Sequence, residues 1–344
     1  MLHKRGNLLY NIHPPNLPAS AVRFTYTWGL GGGALWLFLI LGLTGMLEMF
    51  YYVPAPSEAN ASVKVITYLS SYGWLIRNVH YLAAQGMVIA SSLHLCRVFL
   101  TGGAKASRRF NWLLGLALLV LTLLMDFSGY VLRWDQDTQW ALLAGTNLLK
   151  ELPLAGGLVY QVLVGGKALG APTLLRFYGW HVLGLPLVAA AFVIWHLWRV
   201  RRDGGISHPA PSCGQTTLLV SRDELIALEA SAAIVVTCAL VMLAAVVTVP
   251  IGPAADLNAL TPQEVRAPWI FLGVQVLLRY APPVVAGILV PATLLLALAI
   301  LPFLETGTDG VGRWFAPERK RWLLAFGMLI GGLVTLLVWG WLAI

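Results

Sequence analysis

Charged side chains are scarce in this chain. Asp, Glu, Lys and Arg make up 11% of its 344 residues, against roughly 25% in a soluble globular domain. With apolar residues at 58% and a mean hydropathy of +0.75, that scarcity excludes an ordinary soluble enzyme and points to lipid as the surrounding medium. Cysteine is scarce too. Cys96, Cys213 and Cys238 show neither metal-ligand spacing nor a Cys-x-x-Cys-His run, so a covalently attached c-type haem is not expected. Nor is a cleavable leader, because Pro14, Pro15 and Pro18 interrupt the stretch after Lys4 and Arg5 where one would need a continuous apolar core. The net charge of +8 has no basic face outside the apolar runs to concentrate it, so nucleic acid is not an expected partner.

What the chain does have is long apolar runs. A bilayer-spanning helix needs about 20 apolar residues, and seven stretches qualify: Phe24–Phe50, Trp74–Leu100, Trp112–Leu132, Phe177–Val200, Leu228–Pro250, Pro283–Phe303 and Trp322–Ile344. The expected fold is an all-α membrane protein of about seven transmembrane helices. A four-helix unit (residues 1–212) is expected to be followed by a three-helix unit (residues 213–344). Placing the N-terminus on the cytoplasmic (n) side puts 15 of the 23 Lys and Arg on that side and 8 on the opposite (p) side, as the positive-inside rule requires. The C-terminus then falls on the p side of a multi-pass protein, read here as lying in a prokaryotic cytoplasmic membrane.

Four of the seven histidines sit inside these runs as two matched pairs. His80 and His94 are 14 residues apart and His181 and His196 are 15 apart. Such steps rotate by about −40° and +60°, so each pair lies near one helix face with ~21–22 Å between its members. If the two helices face each other, His80 meets His181 at one depth and His94 meets His196 at another. Each meeting suits a planar iron macrocycle with two axial imidazoles, and the chain then carries electrons across the bilayer. The plainer reading is a set of satisfied polar residues at helix contacts. Gly31 and Gly45, and likewise Gly115 and Gly129, repeat the 14-residue step on the first and third spans. A residue without a side chain lets a flat ring lie against a helix backbone; ordinary small-residue helix packing is the alternative.

Several segments carry a family resemblance. The run Tyr72-Gly73-Trp74-Leu75-Ile76-Arg77 with His80, His94 and Arg97-Val98-Phe99-Leu100-Thr101-Gly102-Gly103 resembles cytochrome b of the Rieske/cytochrome b (bc-type) family. Ser128 through Gln136, Arg176-Phe177-Tyr178 before His181, and Thr261 through Trp269 and on to Arg279 resemble it as well. The likeness is to the plastid-type split form, with its two polypeptides fused. It implies two non-covalent b haems on His80/His181 and His94/His196, with quinone or quinol reacting at two sites. Arg77 is implied as the counter-charge of a haem propionate, a snorkelling arginine being the alternative. Arg97, Arg201 and Arg202 would serve the other haem or simply enforce topology.

The departures from that family are informative. Its p-side Pro-Glu-Trp-Tyr motif reads Ala267-Pro268-Trp269-Ile270 here, and its Pro-Trp-Asp-Gln reads Arg133-Trp134-Asp135-Gln136. Quinol oxidation releases protons, and proline accepts none. Asp135 and Glu264 are the candidate substitutes, each equally readable as a structural or solvated carboxylate. Arg133 and Arg266 are new in the same neighbourhood, as holders of a partner's acidic groups or of a propionate. Tyr130, Trp134 and Trp269 are candidates for a p-side quinone site, and Arg202, His208 and Asp223 for an n-side one. Gly29 stands where the plastid type tethers an extra haem, so no thioether is expected there.

The leading expectation is therefore a dihaem electron-transfer subunit of a quinone-linked respiratory-chain complex, not a stand-alone enzyme. Its partners would be iron–sulfur and/or cytochrome c subunits, quinone, the lipid bilayer and, by the resemblance, a second copy of the chain. One alternative is a dihaem anchor for a non-Rieske iron–sulfur or molybdenum enzyme on the p side, with no quinol bifurcation. The other is a haem-free transporter or assembly protein, which leaves the four histidines unexplained.

Overall fold

Among the described residues, seven helices are long and apolar enough to cross a bilayer, and they order the chain. The computed structural model describes residues 14–209, 216–260 and 265–343. Two short helical turns, Ala19–Val22 and Phe24–Thr27, precede helix α1, Leu30–Met49. The expected first span starts at Phe24, but the helix breaks where Trp28 and Gly29 both take positive φ, 55° and 61°. Helix α2 (Ala59–Tyr68) lies between α1 and α3 (Gly73–Leu100), and α4 runs Arg109–Val131. Helices α5 (Gln136–Lys150) and α6 (Gly156–Val164) fill the next connection, where the apolar runs announce no span. Helix α7 covers Ala171–Arg202 and contains a π-helical turn at Trp180–Gly184. Such turns are rare and concentrate at functional sites; this one carries His181.

The remaining spans are α8 (Arg222–Val246), α10 (Val284–Leu304) and α11 (Lys320–Ala343), with the short α9 (Leu272–Leu277) between α8 and α10. Helix α8 begins six residues before the expected Leu228. Asp223 and Glu224 sit in its first turn, where carboxylates favour the positive end of the helix dipole.

Helices α1, α3, α4 and α7 form the first bundle: α1 packs on α3, α3 on α4 and α4 on α7. The later helices attach to its outside, α8 against α1 and α3, and α10 against α4. Strand β1 (Asn16–Pro18) pairs antiparallel with β2 (Leu219–Ser221) and so ties the start of the chain to the entry of α8. The expected division at residue 212 falls outside the described residues.

Two buried clusters hold the ends. Near the α3/α4 connection, Phe99 stacks on Phe326 at 4.2 Å and Trp112 donates its indole N–H to the Leu298 carbonyl at 2.8 Å. At the opposite end Val131, Trp134, Leu142, Leu174 and Phe177 pack together.

Candidate functional site

The four intramembrane histidines meet in the expected pairs. The His80 and His181 ring centroids are 6.2 Å apart, with ring planes 74° from parallel. His94 and His196 are 6.4 Å apart at 77°. A metal–nitrogen bond of about 2.0–2.1 Å on each side, plus the distance from ring nitrogen to ring centre, places two imidazoles trans on one metal about 6.3 Å apart. Both gaps therefore fit a bis-imidazole metal macrocycle.

Each ring faces a glycine across the bundle. A Cβ built at Gly129 would stand 2.6 Å from His181 Cε1, at Gly45 3.0 Å from His80 Cε1, at Gly31 3.1 Å from His94 Cε1 and at Gly115 3.5 Å from His196 Cε1. The glycines thus make room for the imidazole itself. Histidines and glycines alike line one cavity of about 1360 Å³. That exceeds the roughly 300–1,000 Å³ of a single small-molecule pocket.

Hydroxyls set the tautomer of one pair. The Ser128 hydroxyl donates to the Met125 carbonyl at 3.0 Å and stands 3.1 Å from His181 Nδ1. With its proton spent on a carbonyl, Ser128 accepts from Nδ1–H, and Nε2 is left free to bind a metal. Thr44 stands in the same relation to His80. The spacing argument missed both, although each hydroxyl directly precedes a glycine of the pattern, as Thr44-Gly45 and Ser128-Gly129. The other pair lacks such a hydroxyl: Leu30 and Leu114 precede Gly31 and Gly115.

Buried charges flank the cavity. Arg77 does not snorkel; it is buried in the cavity wall and donates to the Val249 and Pro250 carbonyls at 2.9 and 3.3 Å. Glu48, near Arg77, has a buried Oε1 with no hydrogen-bond partner among the described residues. At the other end Arg97 is also buried. Its Nε donates to the Tyr26 carbonyl and its guanidinium lies 4.4 Å from the Tyr26 ring, while Nη2 has no partner among the described residues. An unpartnered guanidinium N–H in a cavity wall is a ready site for a carboxylate. Outside the spans, burial raises the Tyr52 phenol above its usual range, with Tyr178 stacked beside it at 5.6 Å.

The other expected residues divide. Tyr130 and Trp269 line the cavity. Trp134 instead packs in the cluster of Val131 and Leu142. Asp135 is fully buried, and its carboxylate caps α5 through Thr138 N (3.0 Å), accepts from Gly252 N (3.1 Å) and pairs with Arg133 (3.0 Å). A carboxylate so engaged holds the start of α5 against Gly252 and Arg133. Arg133 is thereby held by Asp135, and Arg266 donates to the Trp341 carbonyl. Glu264 lies outside the described residues. Arg202 stacks on Trp198 at 5.0 Å, and neither it, His208 nor the exposed Asp223 lines the main cavity; Arg201 and Glu229 do. Asp126 and Gln85, which the sequence reading passed over, also line it.

A family model described as Cytochrome b/b6/petB matches residues 16–204. The chain is 43% identical to the cytochrome b6 of Emiliania huxleyi and 41% identical to that of Euglena gracilis, each over 180 residues, 52% of this chain and 83% of the relative. Among solved structures, a chain described as "Hyperthermophilic respiratory Complex III" superposes with a TM-score of 0.79 at 25% identity, covering 91% of this chain and 83% of that one.

Proposed function

This chain belongs to the cytochrome b/b6 family and is a quinone-linked electron-transfer subunit of a membrane redox complex; from that premise we propose that it is the dihaem b-type subunit of a bc-type quinol/quinone oxidoreductase. The observation that carries the dihaem reading is the pair of imidazole gaps, 6.2 and 6.4 Å. His80 and His181 would hold one haem through Nε2, and His94 and His196 the other. Bound haem supplies one-electron redox chemistry at iron. The protein's own part is to fix the imidazoles, to place Arg97 and Arg77 within reach of anionic ring substituents, and to keep both sites under an apolar wall. The count of basic residues supports an n-side N-terminus, which puts His80/His181 on the p side and His94/His196 on the n side. The proposed partners are iron–sulfur and/or cytochrome c subunits, with a second copy of the chain.

The second reading, a dihaem anchor for another p-side enzyme, draws its support from Pro268, where the family motif has glutamate. Rapid mixing of the purified complex with quinol separates the two, with haem b absorbance followed with and without a p-side oxidant while the n-side route is inhibited. The bc-type reading expects the oxidant to increase haem b reduction. Reduction only by the inhibitor-sensitive route, with oxidant merely draining the haems, would sink it in favour of the anchor.

A further inference from the structure

Asp126 is a carboxylate inside a transmembrane helix, five residues and so about 7–8 Å from the end of α4. A carboxylate within a span is costly in lipid, and such residues are retained for function. No described cation forms a salt bridge with it. Its one hydrogen bond comes from a neutral amide, Gln85 Nε2 to Asp126 Oδ1 at 2.9 Å. Gln85 is itself fixed, because its Oε1 accepts the Trp269 indole N–H at 2.5 Å. Phe271, two residues beyond Trp269, seats that turn against α4 through an edge-to-face contact with Phe127 at 5.6 Å.

The chain Trp269–Gln85–Asp126 thus forms part of the cavity wall at the His80/His181 end. Gln85 spends both of its polar atoms on this relay, while Asp126 Oδ2 has no hydrogen-bond partner among the described residues. Trp269 is 40% exposed and stands where the wall meets the outside of the helix bundle. Tyr81 and Tyr130 line the same cavity and add aromatic surface to it. A ligand matched to this lobe is lipid-soluble, flat and aromatic, and carries an O–H to donate to a carboxylate.

We propose that Asp126, oriented by Gln85 and Trp269, is the hydrogen-bond acceptor for a hydroxyl of a hydroquinone bound beside the His80/His181 pair. It would be the carboxylate of a site whose motif has Pro268 in place of glutamate. The assignment rests on the quinone-linked reading above and names the group that contacts the ring hydroxyl.

The test is equilibrium binding to the intact complex by titration calorimetry, with the n-side route inhibited and the haems pre-reduced so that no turnover occurs. The probes are a short-chain alkyl hydroquinone and its dimethyl ether, which keeps ring and tail but has no O–H. A hydrogen bond to a charged acceptor is worth about ten-fold or more in affinity. The unaltered protein should therefore prefer the hydroquinone by about that factor. Asp126→Asn should lose the preference with the ether's affinity unchanged, and Asp126→Glu should recover part of it. Trp269→Phe, which frees Gln85, should lose a smaller share and guards against poor folding of the Asp126 variants. Equal loss for both probes, or hydroquinone binding in Asp126→Asn as tight as in the unaltered protein, overturns the assignment. Haem content measured on the same samples separates the two failures. Haem present with binding indifferent to Asp126 refutes this proposal alone, whereas absence of haem from the unaltered complex refutes the functional reading beneath it.

Discussion

The Thr44 hydroxyl donates to the Ile40 carbonyl at 2.7 Å and stands 2.8 Å from His80 Nδ1. Ser128 repeats the arrangement on His181. Partners of this kind orient a ligating imidazole, and their loss commonly costs 10–100-fold in metal affinity. Thr44→Val and Ser128→Ala should therefore weaken haem retention at His80/His181 by about that range and leave His94/His196 unchanged. Haem-loss rates to an apo-acceptor protein measure this; equal loss from both sites would refute the tautomer argument.

The two pairs lie ~21 Å apart along their helices and share no ligand. His80→Ala should lose one b haem and His94→Ala the other, each variant keeping half the haem of the unaltered protein by pyridine haemochrome assay. Retention of both haems in either variant would overturn the ligand assignment.

The glycine gaps predict a graded series. Alanine at Gly129 puts its Cβ 2.6 Å from His181, and at Gly115 3.5 Å from His196. The first separation requires the ring or a helix to move, and the second is ordinary contact. Overpacking of this sort costs roughly 1–3 kcal/mol, so Gly129→Ala should lower the thermal midpoint and haem content while Gly115→Ala leaves both close to the unaltered protein. Gly45→Ala and Gly31→Ala, at 3.0 and 3.1 Å, fall between. A reversed order would contradict the packing.

Arg319 clasps Glu305 with two N–H groups at 2.7 and 2.9 Å, and Lys105 approaches the same carboxylate at 3.2 Å. All three side chains are almost fully buried. Arg319 also donates to the Phe99 carbonyl at 2.8 Å, so the cluster joins the end of α3 to α10 and α11. Removing one member of a buried pair costs about 3–5 kcal/mol, because the remaining charge has no water to turn to. Glu305→Ala should lower the unfolding midpoint in detergent strongly. Glu318→Ala, which breaks the exposed pair with Arg313 at 2.8 Å, should change it little. Equal effects from the two substitutions would mean that the buried cluster is not holding the end together.

Part of the site could be read from the chain as a string, because its information is periodic. The spacing of His80 and His94, the spacing of Gly31 and Gly45, and the length of each apolar run depend only on helix rise and turn. The paired histidines and the glycine facing each of them stand where that geometry places them. Asp135 was readable only in part. Thr138 three residues on is a local capping signal, but the Gly252 N–H that completes its shell comes from 117 residues away.

The amino-acid sequence by itself determined the lipid setting, the seven spans and the rows of residues each helix presents, since composition and helical period need no knowledge of neighbours. Tertiary structure decided which carboxylate is spent on architecture and which faces the cavity. Gln85 reaches Asp126 across 41 residues and Trp269 reaches Gln85 across 184. Contacts of that range follow from how helices and the loops between them pack, and a hydrogen bond made there leaves no trace in the local spacing of either partner.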